Sequence, residues 1–409
     1  MKSPQNREEL LRVAGKAGTP TYVYDAETIR THCGEFRQAL NGFPSRLLYA
    51  VKANANPSLL QVILDEVDGL EVVSAGEVEL ARRMGVTPDR ILYSPNNIDD
   101  DEMAFVAVRD VLFNIGEMSR LERFGERYPG AEVSVRLNLW IGAGHHRHVV
   151  TGGEDSKFGM GGDQLTTVLE TAKRHGLRIV GIHQHIGSGF ESATQYLEAI
   201  DLLLDAAPAF PDLRFVNVGG GVGIPYRESD RPFELSTVST GLASRWESYQ
   251  RKSGRSLTCW FEPGRYLVAE SGVLLVQATA VKTLGKKTYA GTDSGFNHLL
   301  RPILYGAYHE VFNLSNPDGE LVTYEIAGNI CESGDLFASN RPVQRIREGD
   351  ILAIMDTGAY GMTMASHYNM RALPAEVLID RDETTLVRHR ESYAELVDRH
   401  LRETRPHKL

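Results

Sequence analysis

Cysteine is scarce in this 409-residue sequence: Cys33, Cys259 and Cys331 are far apart and odd in number. That argues against a disulfide framework and a paired-cysteine metal site, and for a reducing compartment. Long apolar runs are missing too. No stretch approaches the roughly 18 residues of a membrane span, and the opening MKSPQNREELLRV lacks a secretory apolar segment. A cytoplasmic protein is the expectation. There is no basic excess either. The net charge is −10 with no Lys/Arg run, which disfavours nucleic acid and anionic membrane as partners. The 42% hydrophobic and 24% charged content is ordinary for a globular chain, and the length predicts two domains.

What is present is a rhythm. From about Leu47 to Val276, short apolar runs alternate with amphipathic stretches: LLYAV with PSLLQVILDEV, LEVVS with AGEVELARRMG, RILYS with DDEMAFVAV, VLFNI with EMSRLERFGERY. EVSVRLNLW leads into a Gly/His-rich loop, and LRIVGIHQHIG, LRFVNVGGG and LTCWFEPG follow. Roughly eight strand–helix repeats predict an α/β fold, a (β/α)8 TIM barrel in preference to an open doubly wound sheet. After about Ser271 the character changes. GVLLVQATAVKTL, KTYAGTDSG, LVTYEIAG, DILAIMDTG and AEVLID predict a C-terminal antiparallel β-sandwich or barrel domain. The segment TPTYVYD reads as a strand able to join it. The expected division is a barrel over 26–275, and a β domain from 1–25 and 276–409 whose tail is helical before it frays.

Barrels carry their chemistry at the C-terminal ends of strands. Lys52 follows the first apolar run in YAVKAN, where desolvation favours condensation with an aldehyde. GIHQHIGSG brings His183, His185 and Ser188 to another strand end. A histidine there can stack on an aromatic ring or act as acid or base, and the HxH spacing also suits a metal, although no carboxylate cluster accompanies it. VNVGGGVGIPY places Gly219, Gly220 and Gly221 where backbone N–H groups can approach an anion, without the spacing of a dinucleotide fingerprint. In WFEPGRYLVAESG, Glu262 can keep a pyridinium nitrogen protonated, and Arg265 can hold a phosphate or carboxylate. NICESGDLFA clusters Cys331, Glu332 and Asp335; the thiol can donate a proton and the carboxylates can fix a substrate amine. Each feature alone also has a plainer reading, as a strand-end lysine, a structural histidine, a tight turn, a surface ion pair or a buried thiol. Together, an aldehyde-binding lysine, a stacking histidine, phosphate glycines and a pyridinium carboxylate meet the needs of one cofactor, pyridoxal 5'-phosphate. No metal is expected.

At TPTYVYDAETIR, YAVKANANP, TGGEDSKFGM, GIHQHIGSG, VNVGGGVGIPY, FEPGRYLVAESG, DSGFNHLLRPILYGAYH, ICESGDLFA and DTGAYGMTMASHYNMRALPAEVLI, the chain resembles the fold-type III pyridoxal-phosphate decarboxylases, and within them the diaminopimelate decarboxylases. The resemblance implies an alanine-racemase-like barrel with a β domain, assembled as a head-to-tail homodimer with shared active sites. It implies that Lys52 holds the cofactor aldehyde and His185 stacks on its ring. Ser188, Gly219, Gly220, Gly221, and Gly264 with Arg265 in the EPGR turn, hold its phosphate, and Glu262 faces its ring nitrogen. Arg265, Arg301, Tyr305 and Glu332 bind substrate, and Tyr360 lies near both substrate and cofactor. Cys331 is the implied acid and, with Glu332, comes from the partner subunit.

The function so implied is decarboxylation of a small amino acid, meso-diaminopimelate, to L-lysine. A distal carboxylate and ammonium would suit Arg301 and Glu332. Five residues depart from the family pattern: Glu71 for an aspartate, His298 for an acidic residue, Asn329 for proline or similar, and His367 and Met370 in SHYNMRALPAEV for small polar residues. They keep open a same-fold decarboxylase for another substrate (a D-amino acid, carboxynorspermidine or a carrier-bound amino acid) and a pyridoxal-phosphate-binding protein without turnover.

Overall fold

Eight parallel strands close on themselves in the computed structural model. They are Ser45–Ala50, Gly69–Val72, Ile91–Tyr93, Leu112–Ile115, Glu132–Asn138, Arg178–His183, Phe215–Asn217 and Thr258–Phe261. Each pairs with the next, and the last returns to the first through Cys259↔Ser45 and Phe261↔Leu47, which settles the barrel over the open sheet. The described residues are 6–140, 153, 156–190 and 193–404. The Gly/His-rich stretch 141–152 and the end of the tail, 405–409, lie outside them.

The chain forms two units. One comprises Arg30–Ile224 and Arg231–Leu267; the other comprises Met1–Ile29, Pro225–Asp230 and Val268–Leu409. In the barrel unit, local chemistry starts and stops the helices. Asn56 caps Pro57–Leu64, which has Pro57 in its first turn, where the missing N–H costs nothing. Ser74 accepts from Glu77 N to cap Ala75–Arg83, and Asp99 accepts from Glu102 N to cap Asp100–Ala107. Gly176 and Gly254 end Leu165–His175 and Leu235–Ser253 in the left-handed conformation. Inside the barrel, Asn114 donates to Ser94 Oγ and accepts from Ser134 Oγ, both at 3.0 Å, so these buried polar side chains are paired.

In the second unit, Thr21–Asp25 lies between two later strands. It runs antiparallel to Gly272–Leu284 (Val23↔Val273) and parallel to Ala375–Asp380 (Val23↔Val377). Leu10 and Val13, on the helix Arg7–Ala17, pack into the same core as Val23, Leu275, Leu314 and Val377. Full burial of such side chains contributes about 1.5–3 kcal/mol each. The sheet is mostly antiparallel, as expected; besides the pair with Ala375–Asp380, Lys287–Thr292 runs parallel to Leu321–Ala327. Both parallel pairs join segments separated by long connections, as parallel pairing requires. Three strands, Val311–Asn313, Leu336–Gln344 and Glu383–Arg388, were not singled out by the sequence pattern. Among the described residues, no helix is long and apolar enough to cross a membrane.

Candidate active site

The C-terminal ends of the barrel strands carry a dense set of charged and polar groups. Lys52 sits in a short 3-10 turn, Val51–Ala53, just past the strand Ser45–Ala50. Its Nζ donates to Glu71 Oε2 at 2.9 Å. A carboxyl group on the next strand thus faces this lysine. Glu71 is only 2% exposed, and burial pushes its carboxyl up to about 7; Lys52 opposes that rise and the charge of Glu262 adds to it.

At the end of the strand that pairs with Ser45–Ala50 on its other side, Glu262 follows Phe261 and is also buried. Its Oε1 accepts from His183 Nε2 at 3.0 Å and its Oε2 from Asn217 Nδ2 at 3.1 Å. Burial alone would raise this carboxyl, but His183, its hydrogen bond, and the charges of Lys52 and His185 bring it down to about 2. Burial lowers His183 and takes His185 well below the ordinary imidazole value. At neutral pH the arrangement is therefore an ionised Glu262 beside two neutral rings. His183 is occupied by Glu262 and His185 Nδ1 accepts from Gly220 N at 3.3 Å, which puts the His185 proton on Nε2. Among the described residues no group of three or more His, Cys, Asp or Glu could hold a metal ion.

The glycine run fits its surroundings closely. A Cβ on Gly220 would lie 2.3 Å from Glu262 O, and one on Gly221, at φ +95°, would lie 2.2 Å from Gly187 O. Arg265 Nη2 donates to Ser188 Oγ at 3.1 Å, joining two of the residues read as anion-binding. Gly264 packs against Ala50 and Ala53, next to Lys52. Lys52, His185, Ser188, Gly219, Gly220, Gly221, Glu262, Gly264 and Arg265 thus belong to one unit, at neighbouring strand ends.

The other sequence-predicted residues belong to the second unit. Arg301 and Tyr305 bracket the helix Arg301–Tyr305. Arg301 is buried, its guanidinium lies 4.7 Å over the Tyr226 ring, and Nη1 donates to His309 Nε2 at 3.0 Å. Cys331 and Glu332 are exposed on a turn, and Tyr360 sits at φ +57°. Asp335 is not a substrate carboxylate of that turn: it points inward and accepts from Phe296 N and Ile330 N, both at 2.7 Å. Glu71 as the partner of Lys52, the bracing of Glu262 by Asn217, and Arg136 in the same charge network were all missed in the sequence. Their one signal is a polar residue inside an otherwise apolar barrel strand, in LEVVS, FVNV and SVRLN.

A parallel barrel with these groups at its strand ends defines a pyridoxal-phosphate enzyme. The family model described as pyridoxal-dependent decarboxylase, pyridoxal binding domain, matches residues 26–269. Diaminopimelate decarboxylase of Methanothermobacter thermautotrophicus is 39% identical over 400 residues, covering 95% of this chain and 93% of that protein. The Escherichia coli diaminopimelate decarboxylase is 34% identical over 409 residues, covering 95% and 96%. The crystal structure of the Helicobacter pylori diaminopimelate decarboxylase complexed with L-lysine matches with a TM-score of 0.89 at 31% identity, over 97% of this chain and 100% of that one. The chain belongs to the pyridoxal-dependent decarboxylases and, among them, to the diaminopimelate decarboxylase family. It is a pyridoxal-phosphate-dependent carboxy-lyase acting on a small amino acid.

Proposed function

We propose that the chain decarboxylates meso-2,6-diaminopimelate to L-lysine and CO2, working in the cytoplasm as a homodimer. The observation that carries this reading is end-to-end likeness to diaminopimelate decarboxylases across both units, at 39% identity.

The barrel residues suit the cofactor chemically. Lys52 is the amine for its aldehyde; Ser188, Gly219, Gly220, Gly221, Gly264 and Arg265 suit its phosphate. Neutral His185 can lie against a ring without adding charge, and ionised Glu262 suits a protonated ring nitrogen. Arg136 Nη2 is buried with no hydrogen-bond partner, in keeping with a wall that faces a polar ligand. When bound, the cofactor supplies an electron sink for the bond to the departing carboxylate.

The chain's own residues do the rest. Glu262, fixed by His183 and Asn217, holds a negative charge where the sink needs it. Glu71 receives the Lys52 ammonium, and burial raises its carboxyl to about 7. Arg265, Arg301 and Tyr305 are the proposed contacts for substrate carboxylates, Glu332 takes the distal ammonium, and Tyr360 borders substrate and cofactor. Cys331 or Lys52 returns a proton to the α-carbon. Two copies would assemble so that the turn bearing Cys331 and Glu332 completes the barrel site of the other copy. In support, Tyr368 and Met370 expose large apolar surface close to that turn.

Two of the departures from family pattern are engaged by the fold itself. His298 is held between Ser294 Oγ and Ala372 O, and His367 is bound to Glu391. The test is CO2 release across a panel of amino acids including meso- and L,L-diaminopimelate. Lysine formed from the meso isomer in clear preference to every other substrate supports the reading, and preference for another amino acid overturns it. A Lys52→Ala variant should lose both turnover and the visible absorbance of bound cofactor. A monomer by sedimentation under assay conditions would defeat the dimer proposal.

A further inference from the structure

The turn that carries Cys331 and Glu332 is held by a second turn, and that one is held by the chain's last helix. Tyr368 OH donates to Glu332 Oε1 at 2.5 Å, while the Tyr368 ring stacks on Phe296 at 5.6 Å. Asn369 Oδ1 accepts from Cys331 N at 3.0 Å, and Arg371 Nη2 donates to Asn329 O at 2.8 Å. Thus three residues in a row of four grip the 329–332 segment. The gripping turn is itself in an uncommon conformation, with Asn369 and Met370 both in the left-handed region at φ +57° and +54°. Two adjacent non-glycine residues stay there only when their surroundings hold them.

Glu391 supplies that hold. Its Oε2 lies 2.7 Å from His367 Nε2, which Arg399 Nη2 also approaches at 3.0 Å, and accepts from Leu373 N at 2.9 Å, so one carboxylate meets both ends of the turn. Arg399 donates to Glu391 Oε1 at 2.9 Å from the helix Tyr393–Glu403, which Ser392 and Glu395 cap and buried Leu396 seats. We propose that His367 and Glu391 are positioning residues for Cys331 and Glu332, acting through Tyr368 and Asn369, with the C-terminal helix as their anchor. The idea rests on the proposed roles of Cys331 and Glu332 in the reaction. It also assigns work to His367, one of the positions where the chain departs from the family pattern.

Two readouts on the holoenzyme test it. Cys331 is exposed whereas Cys33 and Cys259 are buried, so the iodoacetamide alkylation rate of the Cys331 peptide, followed by mass spectrometry, reports on the turn. His367→Ala and Glu391→Gln should each change that rate at least about three-fold with barrel tryptophan fluorescence unaltered, and His367→Gln, whose amide reaches the Nε2 position and can still donate to Glu391, should restore it. Tyr368→Phe keeps the stack on Phe296 and removes the hydroxyl. It should raise KM for meso-diaminopimelate about ten-fold with kcat within about two-fold, the scale of one lost hydrogen bond to a charged group. Parental alkylation rates in both His367→Ala and Glu391→Gln, or a Tyr368→Phe KM equal to the parent's while Glu332→Gln raises it, would overturn the proposal. If Glu332→Gln leaves KM unchanged, the substrate role of Glu332 fails instead, and the alkylation rates still decide the positioning role.

Discussion

Replacing Glu262 with Gln keeps the shape of a buried side chain and removes its charge. In the parent, Oε1 faces His183 Nε2 and Oε2 faces Asn217 Nδ2. Asn217 cannot turn over, because its Oδ1 already accepts Gly219 N at 2.8 Å. A Gln amide must therefore set its NH2 against the Asn217 NH2, or shift His183 to its other tautomer with a buried Nδ1–H that has no partner; either way a buried donor is unmatched at a cost of about 1–3 kcal/mol. The lost charge overlaps with this hydrogen-bond loss rather than adding to it in full. A carboxyl held at about 2 rather than 4.5 represents about 3 kcal/mol at about 1.36 kcal/mol per pH unit. Burial keeps His183 neutral, so its share acts as a hydrogen bond and not as an ion pair; about 2–3 kcal/mol in all is the expected loss.

A carboxyl lowered by folding stabilises the protein above its unfolded value of 4.5 and ceases to do so as pH falls toward about 2. The deficit of Glu262→Gln should therefore be flat from pH 8 to 5, smaller by roughly a quarter at pH 4 and by more than half at pH 3. All three tryptophans, Trp140, Trp246 and Trp260, belong to the barrel unit. Urea unfolding followed by tryptophan fluorescence thus isolates the affected part. A Gln variant as stable as the parent at pH 7, or a gap that widens in acid, would refute the reasoning.

Three further perturbations have definite outcomes. Gly221→Ala places a Cβ 2.2 Å from Gly187 O and from Phe190 Cζ at a positive φ; barrel stability should fall by at least about 1–3 kcal/mol, with weaker cofactor binding by absorbance titration. His298, lowered by burial to about 4, keeps its stabilisation above pH 6.5 and loses it as pH falls toward 4; His298→Gln should flatten that acid loss in circular-dichroism melts. Arg245 and Asp201 form a two-point pair at 2.6 and 2.7 Å between the helices Ala193–Ala206 and Leu235–Ser253, yet both are partly exposed, so Arg245→Ala should cost no more than about 1 kcal/mol in urea unfolding.

The barrel was legible because strand and helix periods alternate from Leu47 onward and their apolar runs are short and bounded. Lys52, His185, Glu262 and the glycine run were legible because strand ends are where barrels keep polar residues. Their partners were not. His183 finds Glu262 79 residues further on, and nothing local to either announces the pairing. Glu71 looked like a departure from a family pattern, whereas its carboxylate reaches Lys52 directly. The edge strand Glu383–Arg388 is mostly solvent-facing and carries little apolar alternation, so the pattern passed over it. Asp335 looked like site chemistry because turn carboxylates often are; its two backbone hydrogen bonds turn it inward.

The strand Thr21–Asp25, set between Gly272–Leu284 and Ala375–Asp380, has a consequence for the order of biosynthesis. About 350 residues separate Thr21 from its partner Ala375, and at roughly 5–20 residues per second the ribosome needs some 20–70 s to span them. The barrel residues Arg30–Leu267 emerge first and can fold while this early strand waits with its hydrogen-bonding edges open. A chain halted before Ala375 would thus leave one edge of the strand TYVYD open, and one halted before Gly272 both edges, for other nascent chains to capture.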